Sequence, residues 1–167
     1  MKGNGISGKQ HSQMQPNEQK LLQKCNSRYF LLPQYRKKLK VVLTGGVFDI
    51  LHIGHLATLR AAKKLGDVLV VVVATDRWVE KIKGKPPMNV AKVRAKRVGM
   101  LKFVDAALIG GKKREGMIAR VKPDIIAFGY DQKPFVKHDG YRIVQLKAKV
   151  AGMKTSVIAR KAGIWRH

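Results

Sequence analysis

The sequence predicts a single α/β domain built on a doubly wound parallel sheet. Short apolar runs rich in β-branched residues alternate along the chain with segments of helical spacing, and such runs are typical of strands buried on both faces. The chain has 167 residues, of which 45% are hydrophobic. It is therefore long enough to bury one core and short for two domains.

The first βαβ unit shows this alternation most clearly. Residues 41–44 and 68–74 are apolar runs that predict buried strands. The apolar residues at helical spacing between them are Leu56, Leu59, Ala62 and Leu65. Gly66 then supplies a typical helix stop. We therefore expect a parallel strand pair with a right-handed crossover.

The same alternation continues along the chain. The predicted elements are a helix over 90–101, a strand over 106–109, a helix over 116–121, strands over 125–128 and 141–146, and a short helix from Thr155. Ligands of doubly wound sheets bind beyond the carboxyl ends of the strands, where the strand order reverses. We therefore expect the functional residues directly after strands, in the segments 45–55, 76–89 and 129–132.

Positive charge is spread over the whole chain. Lys and Arg number 35 against 10 Asp and Glu, which gives a formal net charge of +25. Residues 1–27 are expected to form a disordered basic and polar arm, residues 28–40 a basic and aromatic lead-in, and residues 41–167 the domain. Such a charge attracts polyanions, whether nucleotides, nucleic acid or an anionic membrane surface, and does not by itself choose among them.

Other compositional features exclude several classes of protein. Cys25 is the single cysteine, so the chain builds neither a disulfide framework nor a cysteine-type zinc site. The first twenty residues have too few apolar side chains for a signal peptide, and no apolar run reaches membrane-spanning length. The sequence therefore predicts a soluble, cytoplasmic protein without a membrane partner.

The segment after the first strand predicts a phosphate-binding site. Gly45 and Gly46 allow close approach of the backbone to a ligand. His52 and His55 stand three residues apart at the start of the next helix, where the positive end of the helix dipole favours phosphate. No Gly-Lys-Ser/Thr follows, so the segment is not a P-loop, and it lacks the Gly-x-Gly-x-x-Gly spacing of dinucleotide-binding folds.

This segment resembles the His-x-Gly-His signature of the cytidylyltransferase-like nucleotidyltransferases. The residues in register are Gly46, Phe48, Asp49, His52, Gly54 and His55. The further motifs, in the family's order, are Pro87-x-Asn89 with Arg94 and then Val104-Asp105, Gly129-Tyr130-Asp131-Gln132, and Lys154-Thr155-Ser156-x-Ile158. The motif that begins at Gly129 is similar to the nucleotide-site turn of the archaeal-type FAD synthases. The resemblance covers roughly residues 40–160 and implies a Rossmann-like domain.

The resemblance to the FAD synthases implies transfer of AMP from ATP to FMN, which gives FAD and pyrophosphate without a covalent enzyme intermediate. In-line attack spreads negative charge over phosphate oxygens, so such a catalyst mainly needs positioned positive charge and hydrogen-bond donors. The implied catalytic residues are His52, His55, Lys83 and Arg94. The implied nucleotide-binding residues are Gly45, Gly46, Val47, Phe48, Asp49, His52, His55, Asp76, Arg94, Gly129, Tyr130, Asp131, Thr155 and Ser156.

A lysine-rich segment is expected to meet the leaving phosphates. Its basic residues are Lys81, Lys83 and Lys85, and we expect them on a mobile loop that contains Gly84. Arg94 would hold the same phosphates with its fork of donors.

Magnesium is the expected cofactor, because a divalent cation offsets the charge of the triphosphate. The sequence leaves its protein ligands open. Asp49 and Asp76 are the nearby carboxylates that could orient the nucleotide or the metal, although Asp76 follows Thr75 at a position where it could instead cap a helix.

Two alternatives stay open at this stage. The first motif also resembles glycerol-3-phosphate cytidylyltransferases and the sugar-phosphate nucleotidyltransferase of heptose synthesis. The stretch between Gln132 and Lys154 is shorter than in the FAD synthase pattern. The net charge of +25 also fits a protein that binds nucleic acid nonspecifically on an inactive nucleotidyltransferase scaffold.

Similar proteins are commonly homodimers, so a homodimer is expected as well.

Overall fold

The computed structural model describes residues 5–7, 22–25, 28–31, 38–111, 114–132, 134 and 140–147. The helix predicted from Thr155 lies outside these residues, and so do the candidate ligands Thr155 and Ser156. All the other candidate site residues are described.

Three short strands precede the main sheet. They are β1 (Gly5–Ser7), β2 (Leu22–Cys25) and β3 (Arg28–Leu31), and β3 pairs antiparallel with both of the others. The strands β1 and β2 fall in the arm, which the composition predicts to be disordered, and β3 falls in the lead-in, for which no strand is predicted. The aromatic and aliphatic residues of β3 favour extended backbone, and a partner on each side satisfies its peptide groups. A composition averaged over a whole segment does not detect so short a pattern.

Five parallel strands form the main sheet, in the order β6-β5-β4-β7-β8. The strands are β4 (Val41–Gly46), β5 (Val68–Val73), β6 (Ala106–Ile109), β7 (Ile125–Phe128) and β8 (Arg142–Gln145). The strand β4 lies at the centre, with β5 on one side and β7 on the other, so the strand order reverses at β4. The predicted doubly wound parallel sheet is confirmed.

Four helices connect the strands of this sheet in the described part of the chain. They are α1 (Ile53–Lys63), α2 (Asp76–Lys83), α3 (Ala91–Gly99) and α4 (Arg114–Val121). The helices α1, α3 and α4 agree with the predicted segments to within a few residues. None of the helices among the described residues is long and apolar enough to cross a membrane.

The helix α2 corrects the predicted mobile loop. The Thr75 hydroxyl accepts a hydrogen bond from the Trp78 N–H and caps its start, and Gly84 ends it at a φ of 70° in the left-handed region. Lys81 and Lys83 therefore lie in the last turn of a helix. Trp78, Val79 and Ile82 do have helical spacing, but five of the eight residues are charged, and the lysines around Gly84 favour a loop when the sequence is considered alone.

The core lies in two layers, one on each face of the sheet. On one face, Leu59 of α1 and Val98 of α3 pack with Val42 and Val71. On the other face, Val121 of α4 belongs to a cluster that includes residues of β4 and β7. Because β4, β5 and β7 are parallel, the turns that follow them meet at the carboxyl edge of the sheet.

Candidate active site

A tight turn follows β4, and glycine is required within it. A Cβ on Gly46 would lie 2.9 Å from the Phe48 ring, and one on Gly45 would lie 3.1 Å from the Val72 carbonyl oxygen. Phe48 itself adopts a φ of 53°, which is uncommon for a residue other than glycine, and its side chain is buried. The turn thus folds the backbone tightly toward the start of α1.

Two histidines occupy the start of α1 and stack on each other. His52 is the N-cap residue, yet its side chain makes no capping hydrogen bond, so capping does not explain its presence. The His52 and His55 ring centroids are 3.8 Å apart at an interplanar angle of 28°, and the Phe48 ring meets His55 edge-on at 5.1 Å. Both Nδ1 atoms are buried and have no hydrogen-bond partner among the described residues. Buried polar atoms are normally paired, so these two nitrogens indicate a ligand site.

Burial keeps both histidines neutral at pH 7. Burial lowers the pKa of His52, and burial, followed by the charge of His52, lowers the pKa of His55 to about 4. A hydrogen bond with the Ile50 backbone and the negative charge of Asp131 act in the opposite direction and raise the pKa of His55. The positive charge of Lys83 lowers it further. Each neutral imidazole has one N–H donor, and the N–H groups in the first turn of α1 beside them have no partner within the helix. An anion placed here would raise the pKa of both rings, because it stabilises their protonated forms.

Asp49 is buried, and its carboxylate is already engaged by the protein. The backbone N–H groups of Met88 and Asn89 each donate to it over 2.9 Å. The Asn89 side-chain amide donates in turn to the Asp49 carbonyl oxygen, also over 2.9 Å. Asp49 therefore ties the segment before α3 to the turn after β4, which differs from the expected role of orienting a ligand or a metal.

Arg94 is fully buried and donates from all three nitrogens of its guanidinium to protein oxygens. Its Nε donates to the Asn89 carbonyl over 2.7 Å, and its Nη1 to the Val47 carbonyl over 2.6 Å. Its Nη2 donates to the Ala74 carbonyl over 2.8 Å and to Asp76 Oδ1 over 2.6 Å. The geometry favours a positioning role over the expected fork on the leaving phosphates.

Asp76 has a structural role at the same junction. Besides accepting from Arg94, it accepts the backbone N–H of Ala91 through Oδ2 over 3.1 Å and so stabilises the start of α3. Thr75, rather than Asp76, caps α2. Arg94 and Asp76 thus join the carboxyl ends of β4 and β5 to α3.

The turn after β7 is linked to the turn after β4. The Gln132 side-chain amide donates to the Gly45 carbonyl over 3.0 Å and accepts from the Gly129 N–H over 2.9 Å. Gln145 of β8 donates to the carbonyl oxygens of Gly129 and Gln132. Tyr130 and Asp131 remain exposed at this edge.

The structure thus brings most of the candidates to the carboxyl ends of β4, β5 and β7. Lys83 is exposed, yet close enough to His55 for its charge to affect that pKa. Asp105, from the second motif, instead lies at the opposite edge, where it accepts hydrogen bonds from Lys63 Nζ and the Leu69 N–H. Among the described residues, no three His, Cys, Asp or Glu side chains cluster as a metal site.

Sequence reasoning missed two residues that hold the site together, Asn89 and Gln145. Asn89 belongs to a motif that was recognised, but nothing in the sequence shows that its amide meets Asp49. Gln145 had no signal, because it belongs to none of the recognised motifs and its partners Gly129 and Gln132 are set by the pairing of β8 with β7.

A cavity of about 1000 Å³ opens beside the turn after β4, on the face of the sheet that α4 covers. The backbone of residues 45–47 forms part of its lining. Side chains from α2 and α4 form two of its walls, and the lining is mainly apolar.

Comparison with known proteins gives one matching family model and several similar proteins that are FAD synthases. The model of the cytidylyltransferase-like family matches residues 43–165. The FAD synthase of Pyrococcus abyssi is 44% identical over 119 residues, which are 70% of this chain and 77% of that protein. The FAD synthase of Aciduliprofundum boonei is 46% identical over 121 residues, which are 72% and 77% of the two chains.

A solved structure is similar as well. The lipopolysaccharide core biosynthesis protein from Thermoplasma volcanium GSS1 aligns with a TM-score of 0.60 at 37% sequence identity. The alignment covers 67% of this chain and 99% of that one.

Proposed function

The chain belongs to the cytidylyltransferase-like family, and from that premise we propose that it is an FAD synthase, which transfers AMP from ATP to FMN and releases pyrophosphate. The observation that carries this proposal is the stacked pair His52 and His55 at the start of α1, whose buried Nδ1 atoms have no partner among the residues that the structure describes. The FAD synthases of the two archaea named above support adenylyl transfer to a flavin in particular.

The reaction is a direct displacement at phosphorus. An oxygen of the FMN phosphate attacks the α-phosphorus of ATP, the bond from that phosphorus to the oxygen bridging to the β-phosphate breaks, and pyrophosphate leaves. Negative charge spreads over the oxygens around the α-phosphorus in the transition state. His52, His55 and the first turn of α1 supply donors at the place where this charge develops.

Lys83 serves the leaving group. It lies in the last turn of α2 with its side chain exposed, and its charge acts on His55. We infer that this flexible ammonium meets the β- and γ-phosphates when ATP is bound and offsets the charge of the departing pyrophosphate.

Arg94 and Asp49 prepare the site without touching the substrates. Both are buried, and their hydrogen bonds hold Val47, Asn89 and the turn after β4 in place. Such preorganisation lets the backbone N–H groups of the turn and the two imidazoles meet the α-phosphate without rearrangement.

The base and ribose of ATP are assigned to the turn after β7. Gly129, Tyr130 and Asp131 lie at the switch point of the sheet, where doubly wound folds bind nucleotides. Thr155 and Ser156 keep their proposed role as phosphate ligands on the strength of the sequence motif.

Magnesium is proposed to enter with ATP as part of the substrate. The carboxylates of Asp49 and Asp76 already accept hydrogen bonds from the protein, which leaves them poorly suited to hold a metal alone. Mg²⁺ commonly keeps several waters and binds through substrate phosphates, which agrees with this donor set.

We place the reaction in the cytoplasm, because Cys25 has no partner cysteine in the chain. A homodimer and nonspecific contact of the basic surface with nucleic acid stay predictions from the sequence.

The test is product formation with every pairing of acceptor and nucleotide. FMN, glycerol 3-phosphate or a heptose phosphate is offered in turn with MgATP or MgCTP, and the products are separated chromatographically. We expect FAD from FMN and ATP only. A nucleotidylated glycerol phosphate or sugar phosphate would instead favour the other transferases that the first motif resembles. If no pairing gives product while RNA binds with a steep salt dependence, the inactive-scaffold alternative is favoured.

A further inference from the structure

We propose that the cavity beside the turn after β4 binds the isoalloxazine ring of FMN, with the indole of Trp78 as its stacking platform. This inference rests on the proposed function and adds the location and the chemistry of the acceptor site.

The cavity has the size and the lining of a site for a flat apolar ring. Its volume of about 1000 Å³ lies at the upper end of the usual range for ligand pockets. Trp78 and Ile82 line it from α2, and Met117 and Ile118 line it from α4. Leu43 and other apolar side chains of the sheet form its floor.

Two of these side chains are unusually exposed for their type. Trp78 is 39% exposed and Ile82 is 54% exposed. They are four residues apart on α2 and therefore neighbours on one side of the helix. Large apolar side chains grouped on one wall of a cavity mark a site where a ligand replaces water.

The cavity is in the right place for the acceptor. Gly45, Gly46 and Val47 line the cavity and precede, along the chain, the segment that carries His52 and His55 at the start of α1. A ring in the cavity therefore has its ribityl phosphate near this turn, next to the proposed position of the α-phosphate. Gln132 also lines the cavity and bonds to Gly45, so the proposed nucleotide turn borders the acceptor site.

The charges near the cavity match the anionic acceptor. Arg77 and Lys81 belong to its lining, and Lys81 Nζ lies 6.0 Å from the centroid of the Trp78 ring. An aromatic platform with nearby cations suits a flavin that carries a phosphate. Glycerol phosphate has no apolar ring to bury here, so this cavity would also select FMN over a polyol phosphate.

The test measures FMN binding without ATP and turnover with it. The chain has two tryptophans, so in a Trp165→Phe background the emission reports on Trp78, and we expect FMN to quench it. Trp78→Leu should raise the Kd and KM for FMN by roughly 5- to 150-fold, the range that stacking on an aromatic side chain contributes. The KM for ATP should change less than about twofold, and Trp78→Phe should lie between wild type and Trp78→Leu.

Two further variants make the test specific. Ile82→Glu places a carboxylate against the proposed ring position and should also weaken FMN binding, and its exposed position leaves folding intact. Met100→Ala is the matched control, because Met100 is 67% exposed, apolar and not part of the cavity lining. It should bind FMN as the wild type does.

The outcomes separate this inference from the proposed function. If the wild type makes FAD while Trp78→Leu and Ile82→Glu bind FMN normally, the cavity is not the flavin site. If these variants raise the KM for ATP instead, the cavity holds the adenine and the inference is overturned. If the wild type neither binds FMN nor makes FAD, the proposed function fails, and this inference fails with it.

Discussion

Replacing Arg94 with methionine tests whether this residue positions the turns of the site or binds phosphate. Methionine is of similar length but has no donors, so the carbonyl oxygens of Val47, Ala74 and Asn89 would lose their partners inside the protein. A buried acceptor left unpaired costs about 1–3 kcal/mol. Part of this cost is relieved by water and by small shifts of the backbone.

We therefore expect Arg94→Met to lose about 3–5 kcal/mol of unfolding free energy in the absence of any ligand. Most of this loss comes from the three carbonyl groups, because the Asp76 side chain is 41% exposed and can be hydrated. For a chain of this length the melting temperature should fall by roughly 10 °C. The measurement is urea denaturation of the ligand-free protein, followed by circular dichroism. Arg97→Met is the control, because Arg97 lies on the same helix with its side chain exposed, and its effect should stay within about 0.5 kcal/mol.

A loss below about 1 kcal/mol in Arg94→Met, combined with a large rise in the KM for ATP, would refute the positioning role. That result would instead return Arg94 to the phosphates, as the sequence motif implies.

The remaining predictions concern the histidines and the glycine turn. His55→Ala should lower kcat for FAD formation at least about a hundredfold with little change in far-UV circular dichroism, since a transition-state donor is lost; turnover within a few fold of wild type would rule this role out. Because the pKa of His55 is about 4 in the folded protein and 6.5 in the reference state, the unfolded chain binds the proton first as pH falls, so up to about 3 kcal/mol of stability should be lost between pH 6.5 and pH 4. Denaturation at several pH values measures this loss, and a slope unchanged in His55→Ala would contradict its assignment to His55. Gly46→Ala should lose about 1–3 kcal/mol because its Cβ would meet the Phe48 ring, whereas Gly116→Ala in α4, where a Cβ meets nothing within 4 Å, should be neutral or slightly stabilising. Equal melting temperatures for these two alanine variants would show that the turn relaxes freely.

The fold could be predicted from sequence where local pattern and burial coincide. The strands β4 and β5 are buried on both faces, so their apolar runs are long and unmistakable. The helix α2 was not predicted, because only Val79 among its residues is buried. The sequence features that mark this helix are its capping residue Thr75 and its terminal Gly84. The strands β1 to β3 were not predicted, because they depend on pairing between segments of mixed composition.

In the candidate site, too, features set by local sequence could be predicted and features set by tertiary contacts could not. Gly46 and the histidine pair are neighbours in sequence, so their spacing alone predicted a phosphate site. The roles of Asp49 and Arg94 depend on which oxygens and N–H groups surround them. Those partners lie up to 47 residues away along the chain, as Val47 does from Arg94. A motif identifies the residue type, whereas the partner of a buried charge is decided by the tertiary structure.

The central position of β4 has a consequence for how the chain becomes active as it is synthesised. The strand that pairs with its second edge is β7, and Gln132, which holds the Gly45 carbonyl, lies 87 residues further along. Until β7 leaves the ribosome, the nascent βαβ unit presents an unpaired edge, and contacts of such long sequence separation form slowly. The turn that bears the histidines is thus made first and completed late, so a ribosome-bound chain that ends before β7 should carry both histidines and no organised site.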